Sequence, residues 1–400
     1  MKHIAVGIAF AFTFAGCGGG GDSDPGTRRA QLLAEMRAKA TAAATAIPTG
    51  TAPTITLGVA NAASTIVDSV LIPWDSGKFF YSGNVSVAGT TFPDRALGEN
   101  KAVSYGPGIL SSNFLTIEFT TDAPALEVLV KGTAFNGRMR FMVDGALASA
   151  TPVEYPDDGS LRLTKLVFGT RAMRRIRILS NAPKFGGVRV GPADVVSLPP
   201  ADTGFRAMFV GDSITEGPAG QAAQTSFAPI AAQLLGWSDA WISGVGATGY
   251  LEAPSPRFTF RQRFDADIRA YAPDVLVIAG GVNDTGFTDA QIHTEAGLLF
   301  DRIQQDLPNT LVFVLGPWNP RMVVRAGVNT AIKTAAAGRP NFFWVPNYDE
   351  PWITGTGRVG APTGDGNSDI FTSPGGLHPS PAGIDYYARK FKDAITVLIR

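Results

Sequence analysis

The chain of 400 residues is poor in cysteine and histidine, with one of the former and three of the latter. A single cysteine cannot pair within its own chain, so an internal disulfide is excluded. The sequence has neither an HExxH motif nor an EF-hand pattern, and two histidines lie outside the amino-terminal apolar segment. These absences argue against a structural or catalytic metal site. We therefore expect no metal and no organic cofactor.

An excess of charge of one sign is also lacking, because 34 basic residues balance 34 acidic ones without a long run of either. A nucleic-acid-binding protein needs a basic patch to contact phosphates, so nucleic acid is not expected as a partner. Nucleotide hydrolysis is disfavoured as well, since the run Gly211-Asp212-Ser213 lacks the lysine of a phosphate-binding loop.

An almost unbroken apolar run occupies residues 4–15 and is followed by Gly16 and Cys17. This run is short for a transmembrane helix and is typical of a secretory signal. The stretch from Phe14 to Cys17 resembles a bacterial lipobox, in which the cysteine is lipidated. We therefore expect residues 1–17 to be a signal peptide and Cys17 to be the lipidation site. The protein would be exported, either attached to a bacterial membrane only through this lipid or secreted.

The next part of the chain is expected to consist of a linker and a β-domain. Residues 18–53 combine a flexible tether with an alanine-rich helical stretch, which we interpret as a spacer because it has little apolar face. Residues 54–200 contain short runs that alternate apolar and polar side chains, and Val143-Asp144-Gly145 is typical of a hairpin turn. These features predict an antiparallel β-sandwich with a jelly-roll-like arrangement.

Residues 204–400 alternate apolar strand-like runs with helical segments. Such alternation predicts a parallel sheet covered by helices on both faces, a flavodoxin-like three-layer α/β/α domain. Its first strand, residues 207–210, ends at Gly211 and is followed by Asp212 and Ser213. Because ligands bind at the carboxyl ends of strands in such sheets, Ser213 is in position to act as a nucleophile.

A serine nucleophile requires a base, and the three histidines offer few choices. His3 belongs to the expected signal peptide. His293 lies in a pattern typical of an amphipathic helix, which favours a structural or surface role. His378 lies in a loop rich in glycine and proline, and loops on a rigid scaffold often carry catalytic groups. His378 is therefore the candidate base.

Two further strand ends supply candidate donors for an oxyanion hole. The apolar run 275–279 is followed by glycines and then by Asn283, whose side-chain amide can donate to a developing negative charge. The glycine-rich turn 244–249 also follows a short strand and can lend backbone N–H groups. We expect all of these groups to meet at one edge of the sheet.

Together these residues resemble the SGNH (GDSL-type) hydrolase family, whose four blocks carry Ser, Gly, Asn and His in this order. The matching segments are, in chain order, Gly211-Asp212-Ser213, the turn 244–249, Gly281-Val282-Asn283-Asp284 and His378-Pro379. The resemblance implies Ser213 as nucleophile, His378 as general base and then acid, and Asn283 as an oxyanion-hole donor. It also implies the backbone N–H of Ser213 and one from the glycine-rich turn, where the register leaves Gly246 and Ala247 both open.

One position departs from the family pattern. The family usually has an aspartate three residues before the histidine to orient its ring, and here that position is Gly375. The remaining acceptors for the histidine N–H are a backbone carbonyl near residues 373–375 or another carboxylate, Asp369 or Asp365. Some carbohydrate esterases of this fold work with a Ser–His dyad, so the resemblance does not imply an inactive protein.

The expected function is that of an exported serine esterase that removes short acyl groups, in particular acetyl, from a polysaccharide or oligosaccharide. This expectation follows from the resemblance to carbohydrate esterases, some of which carry a jelly-roll domain before the catalytic one. A lipase or arylesterase would use the same residues on other small esters. A non-catalytic carbohydrate-binding lipoprotein is the remaining alternative, and it would show affinity without turnover.

Overall fold

The computed structural model describes residues 25–45, 52–83, 86–88, 96–98, 115–132, 137–149, 151–181, 183–200, 204–217, 226–318 and 325–400. The expected signal peptide and Cys17 lie outside these ranges, so export and lipidation stay predictions. No helix within these ranges combines the length and the apolar character that crossing a bilayer requires.

The amino-terminal half contains helix α1 (Pro25–Thr45) and two antiparallel sheets. Its strands are β1 (Thr54–Leu57), β2 (Val70–Pro73), β3 (Phe80–Gly83), β4 (Ser86–Ala88), β5 (Ala96–Gly98), β6 (Leu115–Thr121), β7 (Ala125–Lys131), β8 (Arg138–Val143), β9 (Ala146–Leu147), β10 (Val153–Glu154), β11 (Leu161–Val167), β12 (Arg174–Asn181), β13 (Lys184–Val190) and β14 (Val196–Ser197). The first sheet has the order β1-β11-β7-β13-β5-β4, with β2 beside β13. The second has the order β10-β8-β12-β6-β14, with β3 beside β6 and β9 beside β8.

The two antiparallel sheets share one apolar core. Ile117 of β6 packs there with side chains of the other sheet such as Val128 and Val188. The turn that joins β8 to β9 has positive φ angles of 50° at Asp144 and 85° at Gly145, as a type I′ hairpin requires. The predicted β-sandwich is confirmed, including its hairpin turn.

The carboxyl-terminal half is a parallel sheet between two layers of helices. Its strands are β15 (Arg206–Gly211), β16 (Asp239–Gly244), β17 (Val275–Ala279), β18 (Leu311–Leu315) and β19 (Phe342–Val345). Its helices are α2 (Ser213–Glu216), α3 (Phe227–Leu234), α4 (Asp289–Asp306), α5 (Ala326–Ala336), α6 (Ser368–Phe371) and α7 (Pro381–Leu398). The strand order β16-β15-β17-β18-β19 is that of a flavodoxin-like sheet.

Successive side chains of the parallel strands enter opposite helical layers. Phe209 and Val277 share one core with residues of α3 and α7. Their neighbours Met208 and Ile278 share the other core with residues of α4 and α5. Burial on both faces explains why these strands are continuously apolar, and the predicted three-layer fold is confirmed.

The chain between β16 and β17 does not form a regular α-helix. It forms a π-helical turn (Phe264–Ile268) followed by a 3-10 turn (Arg269–Tyr271). Arg263 and Asp267 are fully buried here and form an ion pair. Both contact the hydroxyl of Ser243, which donates to Asp267 at 2.8 Å and accepts from Arg263 at 2.6 Å. The irregular winding accompanies this buried polar cluster beneath the end of β16.

Helix α1 is part of the α/β domain, so our interpretation of it as a spacer is wrong. Leu32, Met36 and Ala40 are buried in the same core as Phe209. These three residues recur every fourth position, which places them along one face of the helix. A helix with few apolar residues can still belong to a domain core when those residues lie along one face of the helix.

Polar contacts place α1 across the edge of the sheet where the parallel strands begin. Arg28 donates to the carboxylate of Asp274, the residue just before β17, at 2.7 Å. Arg37 donates to the carbonyl of Ile399, the residue just after α7. The helix therefore covers the end of the domain opposite to Ser213.

The burial of α1 makes a prediction about stability. Replacing Met36 by Ala should lower the free energy of unfolding by about 2–5 kcal/mol, because a buried methionine leaves a cavity. Urea unfolding followed by tryptophan fluorescence measures the change. Gln31→Ala on the exposed side of α1 is the matched control and should change stability by less than about 0.5 kcal/mol. Equal midpoints for the two variants would show that α1 does not support the domain.

Candidate active site

The candidate site lies where three parallel strands end at one level. The register pairs Gly211 of β15 with Gly244 of β16 and with Ala279 of β17. The order of the strands changes direction at β15, so this edge is the topological switch point of the sheet. Such a point leaves a crevice outside the carboxyl ends of the strands. Ser213 and Asn283 follow β15 and β17 and therefore reach the same crevice.

Ser213 is held at the start of the short helix α2. Asp212 caps this helix by accepting the N–H of Ile214 at 2.9 Å. The preceding Gly211 has no space for a side chain, because a Cβ would lie 2.4 Å from the carbonyl oxygen of Ala279. Ser213 itself is partly exposed, whereas the residues on both sides of it are buried. The turn thus presents the serine hydroxyl to the crevice.

His378 approaches Ser213 from the loop that precedes α7. Its Nε2 lies 2.8 Å from Ser213 Oγ. The Ser373 N–H donates to the carbonyl of His378 at 2.9 Å. The Ser380 N–H donates to the carbonyl of Phe371 at 2.8 Å. These bonds fix the backbone on both sides of the ring. The structure therefore brings the predicted nucleophile and base within reach of direct proton transfer.

Neither carboxylate considered from the sequence orients His378. Asp369 accepts the backbone N–H groups of Thr363 and Gly364, at 3.0 and 2.8 Å. Asp365 accepts hydrogen bonds from two threonines of the same loop. The prediction of Asp369 or Asp365 as the orienting acid is wrong, because each carboxylate serves the folding of its own loop.

Partial burial lowers the pKa of the His378 imidazole. In the part of the chain that the structure describes, its only hydrogen bond is the one to Ser213, so no carbonyl of residues 373–375 accepts its other N–H. Burial disfavours the charged imidazolium and lowers the pKa of His378 from its ordinary value. The ring is therefore neutral, as a general base must be, over a wider range of acidic pH.

The glycine-rich turn after β16 runs beside the nucleophile. A side chain at Gly246 would place its Cβ 3.5 Å from Ser213 Cβ and 2.7 Å from a carboxylate oxygen of Glu216. The Gly246 N–H donates to this same Glu216 carboxylate at 2.9 Å. Ala247 adopts a left-handed φ of 57°, and its N–H has no hydrogen-bond partner among the described residues. Of the two backbone donors left open by the sequence, the one at Ala247 is available.

Asn283 packs against the same turn. Its side-chain Nδ2 donates to the carbonyl of Thr248 at 2.9 Å, which uses one of the two N–H bonds of the amide. The adjacent Asp284 is buried and accepts three successive backbone N–H groups at 3.0, 2.8 and 2.8 Å, those of Tyr250, Leu251 and Glu252. The end of β17 thereby fixes the position of the turn relative to Ser213.

Three buried carboxylates surround the turn that carries the nucleophile, and they belong to Asp212, Glu216 and Asp284. Burial, with the charges of Asp284 and Glu216, raises the pKa of Asp212 to about 7, although the N–H of Ile214 opposes the shift. Burial also raises the pKa of Asp284, against the three N–H groups that it accepts. Within the described ranges, no group of His, Cys, Asp and Glu side chains is arranged to hold a metal ion.

Glu216 is a site residue that sequence reasoning missed. It lies three residues after Ser213 in the same run and is 7% exposed. Its partner, the N–H of Gly246, is distant in sequence and meets it only when β15 and β16 pair. The available signal was an acidic residue placed between a buried strand and a glycine, which is weak evidence by itself.

Comparison with known families agrees with this geometry. Residues 209–385 match the model of the GDSL-like Lipase/Acylhydrolase family. This part of the chain is a GDSL-like hydrolase domain. The matched residues include Ser213, Asn283 and His378, and the predicted family resemblance is confirmed. No curated protein matches the chain in sequence.

Solved structures are similar in fold to most of this chain. The salicylyl-acyltransferase SsfX3 from a tetracycline biosynthetic pathway is 15% identical with a TM-score of 0.61, covering 83% of this chain and 98% of its own. A family two carbohydrate esterase from Clostridium thermocellum, solved with cellohexaose, is 19% identical with a TM-score of 0.53, covering 80% and 98%. A GDSL-like lipase from Bacteroides ovatus, described as putative, is 14% identical with a TM-score of 0.55, covering 83% and 98%. These likenesses show the fold.

The partly buried imidazole of His378 makes a prediction about pH. We expect kcat/KM for ester hydrolysis to fall on acidification through a pKa below the ordinary histidine value of about 6.5, because only the neutral ring can take the proton of Ser213. A pH–rate profile with p-nitrophenyl acetate measures this. His293→Gln on the exposed face of α4 is the control and should leave the profile unchanged. An acid limb at or above 6.5 would contradict the assignment.

The position of the missing aspartate can be tested by restoring it. A Cβ at Gly375 would have no neighbour closer than the Ser373 hydroxyl at 3.9 Å, so a side chain fits. In Gly375→Asp, a carboxylate beside the imidazolium should raise the pKa of His378 and move the acid limb to higher pH. The matched control is Gly375→Asn, which has the same size without the charge. Identical profiles for both variants would mean that the new carboxylate does not reach the ring.

Proposed function

We propose that this protein is an exported serine esterase that removes acetyl or other short acyl groups from a polysaccharide or oligosaccharide. The observation that carries the proposal is the 2.8 Å contact between Ser213 Oγ and His378 Nε2 at the switch point of the sheet. Membership of residues 209–385 in the GDSL-like family supports an esterase. Acyl specificity, export and mechanism belong to the proposal.

In the first half of the reaction, Ser213 Oγ attacks the ester carbonyl carbon while its proton passes to His378 Nε2. The carbonyl electron pair moves to the oxygen, which becomes an oxyanion. Its donors are the backbone N–H groups of Ser213 and Ala247 and the remaining amide N–H of Asn283. The intermediate then collapses, the bond to the alcohol oxygen breaks, and His378 returns its proton to that oxygen. An acyl-enzyme on Ser213 remains.

In the second half, water replaces the departed alcohol. His378 takes a proton from this water as its oxygen attacks the acyl carbon, and a second oxyanion forms in the same hole. When this intermediate collapses, the bond to Ser213 Oγ breaks and His378 protonates the oxygen. The carboxylic acid leaves and the free serine is restored.

A carbohydrate substrate is supported by likeness of fold alone. The carbohydrate esterase from Clostridium thermocellum, which was solved with cellohexaose, is similar in fold to 80% of this chain. Acetyl is the expected acyl group because of the resemblance to carbohydrate esterases. Export, with attachment through Cys17, is supported by the apolar run of residues 4–15 and the lipobox-like residues that follow it.

Acyl transfer to an alcohol is a second candidate, and the likeness to the salicylyl-acyltransferase favours it. The first half of the reaction would be unchanged, and an alcohol would replace water in the second half. Adding a small alcohol to the assay separates the two. Ester formed in preference to free acid, at alcohol concentrations far below that of water, would indicate a transferase.

The proposal predicts a specific loss of activity. Purified Ser213→Ala should lose hydrolysis of p-nitrophenyl acetate, and also acetate release from acetylated xylo- and cello-oligosaccharides, by about 10⁴-fold or more, because no oxygen remains to attack. Exposed Ser76→Ala in the β-sandwich is the matched control and should retain full rates. Initial rates on acetate, butyrate and octanoate esters complete the measurement.

Each other outcome has a defined meaning. A preference for octanoate would favour a lipase or arylesterase. Binding of oligosaccharide without turnover in the unmodified protein would favour a non-catalytic carbohydrate-binding protein. Full activity in Ser213→Ala would exclude the serine mechanism.

A further inference from the structure

Two charged side chains hold the two peptide groups that meet at Gly246. The N–H of Gly246 donates to Glu216 Oε2 at 2.9 Å. The carbonyl of Gly246 accepts a hydrogen bond from Arg257 Nη1 at 2.8 Å. This carbonyl belongs to the same peptide group as the N–H of Ala247. Arg257 therefore acts on the peptide group that supplies the available N–H of the turn next to Ser213.

We propose that Arg257 is a positioning residue for the oxyanion hole. Its guanidinium fixes the Gly246–Ala247 peptide plane and polarises it, so that the Ala247 N–H becomes a better donor to the oxyanion. The inference rests on the proposed esterase function. It assigns the turn's donor to Ala247 and adds a charged residue that lies outside the four family blocks.

Two physical arguments support this role. A hydrogen bond accepted by an amide carbonyl strengthens the donor at the nitrogen of the same amide, since hydrogen bonds in a chain polarise one another. A guanidinium stays charged throughout the pH range of the enzyme, so this polarisation is constant. The positive charge of Arg257 also lies close to the turn that faces the developing oxyanion. Its attraction for that negative charge adds to the effect of the polarised peptide.

The turn requires such support because its backbone is strained at Ala247. Ala247 has a left-handed φ of 57°, which a residue with a Cβ adopts only when its surroundings hold it there. At the preceding residue, Gly246, the N–H donates to Glu216 and the carbonyl accepts from Arg257. Without Arg257, the peptide plane is free to rotate and the Ala247 N–H loses its fixed direction.

The test compares Arg257→Met with Arg257→Lys. We expect Arg257→Met to lower kcat for p-nitrophenyl acetate by about tenfold to a hundredfold, less than the roughly 10²–10³ of deleting an oxyanion donor. KM should stay within about twofold, because a better hole acts in the transition state and not on the bound ester. Arg257→Lys should recover part of the loss. Arg261→Met, which removes an exposed ion pair to Glu295 nearby, is the matched control with unchanged kcat and KM.

A second measurement needs no turnover. Phenylboronic acid forms a tetrahedral anionic adduct when Ser213 Oγ bonds to boron and its proton passes to His378, and one boron-bound oxygen then occupies the oxyanion hole. Its affinity should fall in Arg257→Met by the same factor as kcat/KM and recover partly in Arg257→Lys. The melting temperature of each variant separates a loss of folding from a loss of alignment.

The outcomes distinguish this inference from the proposed function. Unchanged kcat and boronate affinity in a folded Arg257→Met, with activity in the unmodified protein, would overturn the role of Arg257 alone. A rise in KM at constant kcat would also overturn it and make Arg257 a substrate contact. Absence of both turnover and boronate binding in the unmodified protein would overturn the esterase function together with the inference.

Discussion

The register of β15 against its two neighbours is the constraint on which the site depends. By setting Gly211 level with Gly244 and Ala279, it brings three chain segments into contact at one edge. The contact is so close that a side chain at Gly211 would collide with the carbonyl of Ala279. This pairing sets the relative positions of the nucleophile, the glycine-rich turn and the amide of Asn283.

The three buried carboxylates beside the nucleophile hold backbone, and none of the three holds the histidine. Asp212, Glu216 and Asp284 accept N–H groups from the turns that follow β15 and β16. Such a buried charge is tolerated because hydrogen bonds replace its lost water. In the loop before His378, the partly buried Asp369 also accepts backbone N–H groups. These local hydrogen bonds to carboxylates therefore make the crevice rigid. The imidazole of His378 is instead positioned by packing and by its single hydrogen bond with Ser213.

Periodicity and turn chemistry were sufficient to predict the β-sandwich, the parallel sheet and the place of Ser213, whereas His378 was predicted by elimination among three histidines and by the family resemblance. The apolar strand before Gly211, the glycines before Asn283 and the turn at Asp144 each reflect a local backbone requirement that is visible in the sequence. Contacts between distant segments could not be read in this way. The partner of Glu216 exists only once β16 lies beside β15, and Arg257 lies in a loop without a recognisable pattern. Asp369 shows the reverse error, since nearness to His378 in sequence did not become contact.

Helix α1 was misjudged because its three buried residues were too few to raise its overall hydrophobicity. Its placement also sets where the chain enters the α/β domain relative to the crevice. The chain enters the α/β domain beside Asp274, at the base of the parallel strands, whereas Ser213 opens at their far end. The start of α1 and the opening of the crevice thus lie at opposite ends of the parallel strands.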